Sequence, residues 1–126
     1  MHRSRLCAIG IDCPSGVRNE MEQFWAAALG GSVRTTDDSE YTSVAEVAGR
    51  EVFVQEIGGD ARVHLDIETD DVEAEVARLE ALGAERLTKV RSWWIMRDPA
   101  GLLFCVVPPQ SADFPADAAV WGAAPA

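Results

Sequence analysis

An α+β fold made of two successive β-α-β-β-β units is what this sequence predicts, on three observations. Apolar and polar residues alternate over residues 5–12 and 63–68, the period of a strand. Apolar residues recur three and four apart over residues 17–29 and 72–82, so an amphipathic helix follows each of those strands. Three shorter strand-like segments then close each half, and the same order of elements occurs twice.

In residues 5–12, RLCAIGID, the residues Cys7, Ile9 and Ile11 alternate with Ala8, Gly10 and Asp12, giving one apolar face and one small, open face. Pro14 breaks the strand, and Ser15 is placed to cap a helix whose stripe is Val17, Met21, Phe24, Trp25, Ala28 and Leu29. Gly30 and Gly31 stop that helix. Strands are predicted at residues 32–35, 41–47 and 51–57, the last two joined by Ala48, Gly49 and Arg50.

Gly58, Gly59 and Asp60 link to the second unit, where Val63, Leu65 and Ile67 alternate with His64, Asp66 and Glu68. The apolar set is expected to lie under a helix and the polar set on the other face. Asp70, with Glu73 three residues on, is the predicted N-cap of a helix striped by Val72, Val76, Leu79 and Leu82 and ended by Gly83. Strands follow at residues 85–90, 93–97 and 102–107, and Asp98-Pro99-Ala100-Gly101 has the residue order of a type I turn. The units span about residues 5–57 and 62–108 of one domain ending near residue 108, and the Ala- and Pro-rich residues 109–126 form a tail, flexible or pinned by Phe114 and Trp121.

A chain of 126 residues, 48% of them apolar, can bury a core of its own without staples. Eleven Lys and Arg against 21 Asp and Glu leave a net charge of −10, which repels nucleic-acid phosphates and favours cationic partners over anionic ones. The apolar runs fall short of the ~20 residues that span a bilayer, and the N-terminus lacks a signal-peptide core, so a cytoplasmic protein without membrane contacts is expected. Cys7, Cys13 and Cys105 are sparse, odd in number and without CxxC spacing, the pattern of reduced thiols.

The repeated β-α-β-β-β order, the phrase VHLDIETDDVEAEVARLEALGA and the closing WWIMRDPAGLLFCVV resemble the glyoxalase-like members of the vicinal oxygen chelate superfamily, which includes glyoxalase I, bleomycin-resistance proteins and extradiol dioxygenases. The resemblance covers about residues 5–108. It implies that each unit curves into half of an open, cupped β-barrel with its helix outside, that a small-molecule cavity lies within, and that the protein is a homodimer. Metal-dependent members take ligands from the first and last strands of each unit. Carried over by position, these fall on Ala8, Gln55, His64 and Cys105, of which only His64 is the expected residue type.

His64 can bind a metal, accept a proton, orient a ligand, or serve as a plain structural histidine. Cys105 is either a soft ligand or a small hydrophobe within LLFCVV. Gln55 coordinates metals weakly, Asp66 shares a strand face with His64, and Asp12 shares one with Ala8. Trp93 and Trp94 point to opposite faces, and Trp94 is taken as a candidate wall for a flat ligand.

The leading expectation is therefore a small-molecule-binding protein with a degenerate metal site that sequesters a drug or metabolite, using His64, Cys105, Gln55, Asp66, Asp12 and Trp94 and no cofactor. The alternative is a lyase, isomerase or dioxygenase dependent on Zn, Ni, Mn or Fe held through His64. A protein that uses the fold only for pairing with a partner is a third possibility.

Overall fold

The computed structural model describes residues 1–35 and 41–122 of the chain. Nine strands and two helices occur among the described residues. They run β1 (His2–Cys13), α1 (Arg18–Leu29), β2 (Arg34–Thr35), β3 (Tyr41–Val47), β4 (Arg50–Glu56), β5 (Arg62–Thr69), α2 (Val72–Ala81), β6 (Glu85–Val90), β7 (Trp93–Arg97), β8 (Leu103–Val107) and β9 (Ala119–Trp121). The predicted α+β class and its doubled β-α-β-β-β order are both present. The last residues of the predicted tail, 123–126, lie outside the described residues.

The chain divides into two compact units, residues 8–64 and residues 1–7 with 65–126. In the 8–64 unit, β2 pairs antiparallel with β3, β3 antiparallel with β4, and β4 parallel with the second half of β1. Ile11, Cys13, Val52 and Val54 project from one face onto Ala26 of α1, with Met21 and Trp25 packed around them. The stripe predicted for α1 thus buries as expected, but its start differs. Val17 is the N-cap and no side chain caps the helix, so Ser15 does not have the role its position suggested. Gly31 has a packing reason: a Cβ there would lie 2.1 Å from the carbonyl oxygen of Val44.

In the other unit, β5 pairs parallel with β8, and β6, β7 and β8 form an antiparallel meander. Val76 of α2 packs with Met96, Phe104 and Val106, supported by Ile67, Val72 and Leu79. The cap of α2 is Asp71, which accepts from Ala74 N at 3.0 Å, while the predicted cap Asp70 instead accepts from Arg3 N and Nε. Two adjacent aspartates compete for the same end, and the arginine on β1 takes the first. The Asp98 turn forms as predicted, with Gly101 N donating to Asp98 O at 2.9 Å and Gly101 at φ 95°.

β5 buries more than its apolar face: Ile67 packs under α2 as expected, but the polar His64 and Glu68 of the other face are buried too, whereas Val63 and Leu65 are exposed. Alternation identified the strand but not the burial of its polar face, because the buried carboxylate and imidazole find partners that make their burial affordable.

The tail is pinned, and by more than its aromatic residues. β9 pairs antiparallel with His2, Arg3 and Ser4 of β1, Trp121 Nε1 donates to Ser4 Oγ at 2.8 Å, and the Arg78 guanidinium lies 3.8 Å over the Trp121 ring. Arg5 sits over the Phe114 ring at 5.6 Å.

Candidate functional site

Paired residues of neighbouring strands project to the same side of a sheet, so register specifies what shares a face. In the 8–64 unit, the face away from α1 has two rows across β3, β4 and β1. One is Tyr41, Gln55 and Asp12, and the other is Ser43, Phe53 and Gly10. The rings of Tyr41 and Phe53 lie 4.9 Å apart, and that of His64 meets Phe53 edge-on at 5.6 Å. His64 fits only because residue 10 has no side chain: a Cβ there would lie 2.3 Å from His64 Cε1 and 2.7 Å from Phe53 Cζ.

Asp12 holds His64 in place. Its side chain is 1% exposed, and Oδ2 lies 3.0 Å from His64 Nδ1 and accepts from Arg62 Nε at 3.0 Å. Burial pushes the Asp12 carboxyl up, but the hydrogen bonds from His64 and Arg62 outweigh it and hold the group below the usual carboxylate range. An ionised Asp12 accepts from the Nδ1–H of His64. The second oxygen, Oδ1, is buried and has no hydrogen-bond partner among the described residues. A buried acceptor left this way costs about 1–3 kcal/mol.

A cavity of about 450 Å³ opens at the carboxyl ends of the parallel strands β1 and β4, lined by Ser15, Arg18, Gln55, Glu56, Ile57 and Gly58. Arg18 is committed to Glu22 at 2.9 Å and Thr42 at 2.7 Å. Gln55 belongs both to this lining and to the Asp12 row.

In the other unit, Asp66 is paired in register with Cys105, and their ligand atoms lie within 4.8 Å of each other. Trp94 is on the opposite side of that sheet. It pairs with Val106 in the α2 core, donates from Nε1 to Glu73 at 3.0 Å and is stacked by Arg86 at 4.9 Å. Of the two tryptophans, Trp93 has the strand parity of Ile95, which pairs with Cys105, so a wall on the Cys105 face would involve Trp93 rather than Trp94.

Of the residues singled out in sequence, the 8–64 unit thus gathers Asp12, Gln55 and His64, and the other gathers Asp66 and Cys105. The sequence reading missed Gly10, Phe53, Tyr41 and Arg62. Glycine within an apolar strand was a signal for close approach, since glycine weakens a strand unless something needs the space.

Of the four positions implied for a metal, Ala8 has no donor atom and is buried and Gln55 offers a weakly coordinating carboxamide, while Cys105 and His64 carry donor atoms, His64 with its Nδ1 on Asp12 as metal-bound imidazoles commonly have. A catalytic zinc normally takes three strong protein ligands.

Among families, one described as a glyoxalase-like domain matches residues 8–107. No curated protein matches the chain. Among solved structures, methylmalonyl-CoA epimerase from Mycobacterium tuberculosis is 15% identical, with 83% of this chain and 87% of that chain covered and a TM-score of 0.57. The Mn(II)-bound glyoxalase from Novosphingobium aromaticivorans is 16% identical, with 91% and 44% covered and a TM-score of 0.59. A 2,2',3-trihydroxybiphenyl 1,2-dioxygenase from Sphingomonas wittichii is 14% identical, with 86% and 42% covered and a TM-score of 0.59. This chain spans less than half of the last two. At these identities the likeness is one of fold.

Proposed function

The chain belongs to the glyoxalase-like domain family of the vicinal oxygen chelate superfamily, and from that premise we propose that it is a small-molecule-binding protein that has dispensed with the superfamily's usual metal centre. The observation that carries this reading is Asp12: a buried, ionised carboxylate with one oxygen fixed by His64 and Arg62 and the other unmatched among the described residues. The unmatched oxygen stabilises nothing, and a ligand donor would complete it. Gln55 and the aromatic pair Tyr41 and Phe53 supply an amide and a flat wall on the same face. Those are the ingredients of a site that orients a ligand through a few polar groups against an apolar surface. Ligand sequestration by a homodimer is the form of this function we favour.

A screen of small molecules by thermal shift tests it. Compounds that raise the wild-type midpoint and lose that effect in Asp12→Asn support the reading, and a shift unaffected by the substitution contradicts it.

A second reading, a divalent-metal enzyme, is favoured by one observation: the Asp66 carboxylate and Cys105 thiol approach within 4.8 Å. The third donor on this reading is His64, two residues before Asp66. Metal analysis of protein purified without chelators decides between the two. Stoichiometric Zn, Ni, Mn or Fe that disappears in both His64→Ala and Cys105→Ala favours the enzyme.

A further inference from the structure

We propose that Asp12 is the receptor for a planar organic cation, an amidinium or guanidinium, and that Arg62 is its resident counter-ion, displaced when the ligand enters. The inference rests on the small-molecule reading above and names the ligand class.

Arg62 is the exposed partner of the pair. It binds Asp12 through Nε alone, its side chain is 45% exposed, and it follows the glycine linker Gly58-Gly59, in which Gly58 adopts φ 76°. Only the guanidinium side of this pair reaches solvent, since the Asp12 side chain is 1% exposed. Asp12, by contrast, is held in β1 by its pairing with Gln55 near the end of that strand. When Arg62 swings outward it uncovers an ionised carboxylate with two oxygens to offer, Oδ1 among them.

The surroundings select the charge and shape of what replaces it. Gln55, in register with Asp12, adds a carbonyl acceptor on the same face and also lines the cavity of about 450 Å³. The cation lining that cavity, Arg18, is already neutralised by Glu22. Tyr41, 38% exposed and in the same row as Gln55 and Asp12, offers an aromatic ring for cation–π attraction. A planar donor also matches the two-oxygen geometry of a carboxylate, as guanidinium groups do. A net charge of −10 steers cations toward the protein as a whole.

Isothermal titration of the full chain with benzamidinium, and with neutral benzamide as its isosteric control, tests this. Benzamidinium is expected to bind the wild type at least tenfold more tightly than benzamide does. Arg62→Gln removes the competitor and is expected to tighten benzamidinium at least threefold, while Asp12→Asn weakens it at least tenfold. Equal binding of the two compounds overturns the cation assignment and leaves the small-molecule reading standing. Weaker benzamidinium binding in Arg62→Gln shows that Arg62 helps hold the ligand and overturns the displacement. Because Arg62 is exposed, that variant folds even where Asp12→Asn does not, and failure of benzamidinium to bind either wild type or Arg62→Gln overturns the proposal outright.

Discussion

Glu68 and Glu75 of one unit are held on both carboxylate oxygens, whereas Asp12 of the other is held on one. In the unit of residues 1–7 and 65–126, Glu68 is 0% exposed and receives Arg5 Nε at 2.8 Å, Gln110 N at 2.7 Å and Ser111 N at 3.0 Å. Arg5 goes on to Asp113 at 2.6 Å and to the carbonyl of Ala116. Glu75, also fully buried, is held by His2 at 2.8 Å and by both Arg78 Nε and Nη2 at 2.8 Å. In the 8–64 unit, Asp12 has both its partners on one oxygen. Buried charge with a complete set of partners builds structure, and buried charge with a partial set marks a place where something else belongs. Glu68 organises the C-terminal tail, and Asp12 holds His64 and Arg62.

The largest break in that contrast is expected from Glu68→Gln. It leaves the buried Arg5 without its main counter-charge and two tail amides with a poorer acceptor, a loss of about 3–5 kcal/mol measurable by urea denaturation. The same group sets a pH dependence. Burial pushes the Glu68 carboxyl up, but the Gln110 amide and Arg5 outweigh it and hold it below the ordinary range. A carboxylate depressed in the folded state contributes stability that is fully present above about pH 4.3 and is lost as pH falls through the lower, folded value. The wild type should therefore lose stability on acidification below that pH, and Glu68→Gln should lose less over the same range.

Gly10→Ala comes next, at about 1–3 kcal/mol of overpacking. Its Cβ must displace His64 or Phe53, so the imidazole resonances of His64 should move while the Glu75 network of the other unit stays as it is. Asp71→Ala sharpens the comparison at the small end. Loss of the α2 cap should cost about 1 kcal/mol in thermal denaturation and leave ligand uptake unchanged.

Much of the fold was legible because local rules and tertiary structure agree. The periods of α1 and α2, the Asp98 turn and the bounds of β6 and β7 all follow from spacing and turn chemistry. Three things were not legible, for physical reasons. The helix caps misled because Asp70 is claimed by Arg3, a residue 67 positions away in sequence. The β9 strand was hidden because Ala119, Val120 and Trp121 are too short a run to show a period, and their pairing with β1 is a tertiary fact. The burial of the polar face of β5 was not legible because hydropathy places charge outside, and nothing local in Glu68 reports that Arg5 will meet it. In the site, His64, Asp12 and Gln55 were readable as types and parities. That Asp12 would grip His64, and that Gly10 would make room for it, depends on strands distant in sequence.

The most direct test of the claim that Asp12 marks a ligand site is backbone amide NMR of the full chain titrated with benzamidinium. The account predicts saturable shifts concentrated at Gly10, Asp12, Gln55 and His64, abolished in Asp12→Asn protein whose remaining spectrum stays dispersed. Shifts confined to residues 65–122, or shifts at those four residues that persist in Asp12→Asn, would contradict it.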